Sequence, residues 1–154
     1  MSLEVDGVQP PNGVLKPTSV NELSSILFES DSAGLGVIPF GGGTRLEVGD
    51  IPKKFDIGID TTGLNKIVTH NPADLTCTVE AGMHLDQLQS ILDDHGQFLA
   101  IDAPLPGEAT VGGTIASLPP GYLRWQIGHP RDTVIGMEVL LANGTITKSG
   151  GQVV

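Results

Sequence analysis

Apolar residues along the chain recur in two rhythms. Val20, Leu23, Ile26 and Leu27 follow each other at helical spacing, and Ser19 with Glu22 supplies the capping-box signature just before them. Leu85, Leu88, Ile91 and Leu92 form a second helical stripe, with Gly96 where a C-terminal cap belongs. Between these, "GLGVIPF" predicts a short buried strand, "FDIGIDTTGLNKIVTHN" a strand, a turn and a strand, and "LTCTVEAG" a strand with period-two alternation. Val111 to Ser117 predicts a short helix. "TVIGMEVLLANGTITKSG" predicts a hairpin, with Asn143–Gly144 as a two-residue turn. Helix, strands, helix, loop and strands in that order point to an α+β fold without a regular βαβαβ repeat. The length of 154 residues fits one domain or two small lobes sharing a core.

Composition narrows the partners. Aromatic residues make up 4% of the chain, so the core rests on Leu, Ile and Val. A formal charge of −10 argues against nucleic acid and against an anionic membrane surface, both of which call for clustered Lys and Arg. An anionic small molecule is compatible if backbone N–H groups hold it. The single cysteine, Cys77, is predicted to be a small buried residue; alone it makes no intrachain disulfide, zinc site or iron–sulfur cluster. No apolar run approaches a membrane span and no signal peptide is visible, so the expected location is cytoplasmic.

Two glycine-rich loops stand out, "PFGGGTRL" and "GEATVGGT". Each follows an extended segment. The first departs from the dinucleotide fingerprint, since Gly41 and Gly43 match but the third position is Leu46. The second has Gly107 and Gly112 at Walker A spacing but Gly113 where the lysine belongs, which disfavours a nucleoside triphosphatase. Loops of this kind present consecutive N–H groups to anions, and two of them suit one long ligand such as a pyrophosphate with arms. Plain surface turns are the competing reading of the spacing.

Five segments occur in order: "PFGGGTRL", "GIDTTGLNKIV", "TVEAGMHLDQLQSIL", "GEATVGGTIAS" and "GHPRDTVIGMEVLLANGTI". This set resembles the flavin-binding domain of the FAD-linked oxidases, the PCMH or vanillyl-alcohol-oxidase type, from Val14 to Ile146. "RDTVIG" and the closing "GGQVV" look most like the FAD-carrying E subunit of glycolate oxidase. The resemblance implies an α+β, PCMH-type FAD-binding domain of two small α/β subdomains. It assigns Gly41, Gly42, Gly43 and Thr44 to the FAD pyrophosphate. Arg45 is either a partner of phosphate charge or a solvated side chain. Pro106, Ala109, Thr110, Gly112, Gly113 and Ser117 carry over to the far side of the cofactor. Some relatives attach flavin through a histidine near the first loop; "GGGTRLEV" has none, so the expected FAD is non-covalent.

Other polar residues carry weaker signals. His84, His95 and His129 have no partner constellation, and His70 reads as a strand end. Asp93 and Asp94 read as a solvated helix end, and Asp74 and Glu80 as facing water. Arg124 and Arg131 flank "WQIGHP", from where they could approach FAD or a partner. Ile135 and Val139 lie in a strand that in relatives shelters adenine, but their expected role is ordinary core.

The resemblance implies a truncated domain spanning residues 1–154, with the substrate domain and catalytic base outside it. The implied function is the flavin domain of an FAD-dependent 2-hydroxy-acid (glycolate-like) dehydrogenase, inactive alone, passing electrons to an iron–sulfur subunit. Two alternatives stay open: the flavin domain of a D-lactate, alditol or sugar oxidase, and a non-catalytic interaction module that keeps the fold.

Overall fold

The structure, a computed structural model, describes residues 10, 12–119 and 121–151. The last three positions of "GGQVV" lie outside the described residues, and so do the side chains of Arg124 and Arg131.

The first lobe is a three-stranded parallel sheet with one crossover helix. Strand β1 (Val14–Leu15) leads into helix α1 (Val20–Ser32), then β2 (Val37–Phe40) and β3 (Ile57–Asp60). The spatial order is β1–β3–β2, with Val14 opposite Gly58 and Phe40 opposite Asp60. Helix α1 starts as its sequence predicts: extended Ser19 accepts from the N–H of Glu22 at 3.2 Å. The Glu22 carboxylate turns back one residue further than a capping box requires, onto the N–H of Thr18 at 2.8 Å. The strand predicted as buried, β2, is an edge in which only Phe40 is buried. Burial is greatest in β3, where all four residues are covered and Ile59 is fully inaccessible. The central position explains this, because β3 has a neighbour on each side.

The second lobe begins with the antiparallel pair β4 (Ile67–Asn71) and β5 (Thr76–Val79), followed by α2 (Leu85–Asp93) and α3 (Val111–Ser117). Met83, Leu85, Leu88, Leu92, Ala103, Ala109 and Val111 form its core, with Ile67, Val79 and Ile115 against it. Gly96 ends α2 with φ +65°, as expected. Cys77 is exposed, contrary to expectation. Val79 lies at the packed end of the β4–β5 ladder, whereas Cys77 pairs with His70 towards its open end.

Short helices α4 (Arg124–Ile127) and α5 (Pro130–Thr133) lead to the hairpin β6 (Gly136–Leu140) and β7 (Ile146–Gly150). Its turn has three residues, not two. Gly144 donates to the carbonyl of Leu141 at 2.9 Å with φ +78°, and Leu141 donates to Thr145 at 2.9 Å. The hairpin tip rests on α1, where Ser24 Oγ donates to the Gly144 carbonyl at 2.7 Å. Ile135 and Val139 do not join the core; they are 39% and 40% exposed, since both hairpin strands are solvated along nearly their whole length. No helix among the described residues is long and apolar enough to cross a membrane.

Candidate FAD site at the meeting of two glycine loops

Parallel strands all end at one edge of their sheet, and ligands of open α/β sheets gather there. Here β1 ends at Leu15, just before Lys16, β3 ends at Asp60, and β2 ends at Phe40, where the first glycine loop begins. Asp60 ties these ends together. Its Oδ1 accepts from Thr62 N–H at 2.8 Å and Thr62 Oγ1 at 2.6 Å, and its Oδ2 lies 3.4 Å from Lys16 Nζ. Burial pushes the Asp60 carboxyl up, but the two Thr62 hydrogen bonds and the Lys16 charge outweigh it and leave it below the usual 3.8. Thr61 Oγ1 donates to the Phe40 carbonyl at 3.0 Å, fixing the residue from which the first loop departs.

The second loop is knitted to the stretch that enters α2. Gly112 donates to Ala81 at 2.7 Å, Val111 to Met83 at 2.9 Å, Leu85 to Ala109 at 3.0 Å and Asp86 to Pro106 at 3.1 Å. Leu105 turns the chain at φ +55°, and its carbonyl accepts from both Glu108 and Ala109 at 2.8 Å. Thr110 is 2% exposed and caps α3, its Oγ1 accepting from the N–H of Gly113 at 3.3 Å.

The two loops touch. A Cβ on Gly41 would run into the Thr110 side chain, with Thr110 Cβ 3.0 Å away. A Cβ on Gly42 would penetrate the Glu108 carbonyl, whose carbon lies 2.6 Å away. Gly43 takes φ +73°, which favours glycine. So Gly41 and Gly42 are demanded by the protein's own second loop, a constraint that the sequence does not display.

The loops differ in what their N–H groups do. Among the described residues, no hydrogen bond engages the N–H of Gly41, Gly42, Gly43 or Thr44. Beside them Arg45 is half-buried, and its Nε is buried with no partner among the described residues. Gly112 and Gly113, in contrast, donate into the protein. Ser117 Oγ donates back to the Gly113 carbonyl of its own helix at 2.8 Å. Of the residues expected on the far side, Pro106 is exposed, and Ala109 and Thr110 are buried at the seam.

Asp60, Thr61 and Thr62 were not singled out by sequence, although "IDTTG" lies inside a matching segment. Their signal is an Asx-type cap, Asp followed two residues later by Thr, at a strand end. Gly82 was missed as well: its Cβ would fall 2.7 Å from the Leu64 carbonyl, where β3's following turn passes. A groove of about 320 Å³ adjoins the second loop at Asp86 and Pro106 and is floored by Leu85, Leu99 and Leu123.

The family model for the FAD binding domain matches residues 11–150. The chain belongs to this family. Its cofactor is FAD. This FAD-binding domain is 34% identical over 133 residues to a probable D-2-hydroxyglutarate dehydrogenase, mitochondrial, of Oryza sativa subsp. indica, covering 86% of the chain and 24% of the relative. It is 35% identical over 144 residues to D-lactate dehydrogenase [cytochrome] 1, mitochondrial, of Saccharomyces cerevisiae, covering 92% and 24%. It is 32% identical over 143 residues to glycolate oxidase subunit GlcD of Bacillus subtilis, covering 92% and 30%. The chain therefore spans roughly a quarter of the length of these relatives. An alkyldihydroxyacetonephosphate synthase structure shares its fold at a TM-score of 0.79 and 21% identity, over 95% of this chain and 27% of that one.

Proposed function

We propose that this chain is the flavin-binding domain of a 2-hydroxy-acid dehydrogenase and holds the FAD pyrophosphate at the first glycine loop. The observation that carries the site is the row of unengaged N–H groups from Gly41 to Thr44, facing no acceptor among the described residues. A pyrophosphate needs several donors at close range, and backbone donors supply them without adding charge to an acidic chain. The half-buried Arg45, with its orphaned Nε, fits a phosphate partner better than a solvated side chain. The second loop acts from behind: Ala109 and Thr110 hold the first loop in shape, and Gly112 and Gly113 let α3 pack closely. FAD is held without a covalent bond, as no histidine lies in "GGGTRLEV".

The named activities of the rice, yeast and Bacillus relatives share a 2-hydroxy-acid substrate, which favours that class over alditols and sugars. Bound FAD supplies the two-electron acceptor for oxidation of the hydroxyl to a carbonyl. Substrate clamp and base belong to the rest of the protein, so this chain alone is inactive. With one cysteine it holds no cluster of its own, and electrons leave to a separate carrier, an iron–sulfur subunit. The proposed location is the cytoplasm; the low cysteine content fits a reducing compartment, and the rice and yeast relatives are named mitochondrial. The test is anaerobic addition of glycolate, D-lactate and D-2-hydroxyglutarate to the full-length FAD-loaded protein. Bleaching of the flavin by one of them, and not by an alditol, is expected. Bleaching by the alditol alone would overturn the substrate class.

A further inference from the structure

We propose that His84 is a positioning residue for the FAD site, holding the second glycine loop against the first; the proposal rests on reading these loops as the pyrophosphate site. His84 is half-buried and stands at the N-cap of α2, yet its side chain makes no capping bond to the helix. Instead its Nδ1 lies 3.0 Å from the Glu108 carbonyl oxygen. A carbonyl only accepts, so Nδ1 carries the proton and donates. That same carbonyl is the group into which a Cβ on Gly42 would drive. The carbonyl is thus approached by both the His84 ring and the Gly42 backbone.

The backbone fixes this arrangement. His84 pairs with Thr110 in an isolated antiparallel bridge, flanked by the bonds from Leu85 to Ala109 and from Val111 to Met83. Those bonds secure residues 109 to 111. Glu108, one step before them, donates its N–H to Leu105, and its carbonyl is directed by the His84 ring. The Glu108–Ala109 peptide is anchored at its other end by the Ala109 N–H on the Leu105 carbonyl at 2.8 Å, so without the His84 donor only its carbonyl end is released to tilt. Its carbonyl would then crowd or desert Gly42, and the first loop would lose the surface that sets its curvature.

Asparagine and serine separate this role from helix capping. Both are good, uncharged N-caps. An asparagine amide nitrogen takes the position of Nδ1 one bond beyond Cγ, whereas a serine hydroxyl stops short of Glu108. The experiment titrates flavin-free protein with FAD and also measures amide hydrogen exchange of residues 41–46 and 105–110 without FAD, for the wild type, His84→Ser and His84→Asn. The expected result is roughly three- to tenfold weaker FAD binding and faster exchange in both loops for His84→Ser, with both restored in His84→Asn. Wild-type behaviour of His84→Ser would overturn the proposal. So would equal losses in both variants, which would assign the effect to ring bulk. Should the wild type bind no FAD, the pyrophosphate reading fails, while the exchange rates still decide whether His84 joins the loops.

Discussion

The first and second glycine loops have similar compositions and opposite uses of their backbone. In the first, Gly41 and Gly42 face the second loop through their missing side chains while the N–H groups of residues 41–44 have no partner among the described residues. In the second, the N–H of Gly112 goes to Ala81 and that of Gly113 to Thr110. Glycine content therefore marks close approach in both loops, but among the described residues the first combines it with four consecutive N–H groups that no hydrogen bond engages. A loop rich in glycine is a ligand site only when its hydrogen-bonding groups are left over.

That contrast is most exposed to Gly42→Ala. The added methyl meets the Glu108 carbonyl, which is backbone and cannot step aside cheaply. We expect a stability loss of about 1–3 kcal/mol by overpacking. FAD binding should weaken by roughly tenfold or more, about 1.4 kcal/mol. Titration with FAD and thermal melts measure both. Gly112→Ala should separate the two effects. Its methyl would sit 2.8 Å from Ala81 Cβ, so stability falls, by about 1–2 kcal/mol. Its N–H already serves the protein, so FAD affinity should change less than in Gly42→Ala. An equal loss of affinity would mean that the second loop also touches the phosphates.

How much of this was readable beforehand differs by element. Helix α3 is legible to the residue, because Thr110 is a good cap and the apolar positions after it fit one turn after another. Strand β1 is not, since two residues carry no period. The solvated Ile135 and Val139 look like core because alternation reports one apolar face, not what covers it. The glycine loops are legible as loops. Their contact is not: Gly42 and Glu108 lie far apart in sequence, and His84 reaches its partner across 24 positions. Nothing local marks either pairing.

Arg45→Met should act in the opposite sense to Gly112→Ala. It removes an orphaned buried Nε, so the unliganded protein keeps or gains stability, while FAD binding weakens by about 1 kcal/mol through the lost charged donor. The smallest effect is expected from acid. Asp60 has a folded pKa below 3.8, so its contribution to stability is present above that value and is lost as pH falls through the folded pKa. Asp60→Asn should therefore melt lower than wild type near neutral pH, and the gap should narrow as the solution is acidified below about pH 4. A gap independent of pH would assign the loss to packing and not to the carboxylate.

The most direct measurement is competition for FAD on the flavin-free protein, followed by flavin fluorescence, with ADP and riboflavin as the two competitors. If the first loop grips the pyrophosphate, ADP displaces FAD in a saturable manner and riboflavin at the same concentration does not. Displacement by riboflavin but not by ADP would place the binding energy at the ring end of the cofactor and contradict the assignment of Gly41 to Thr44.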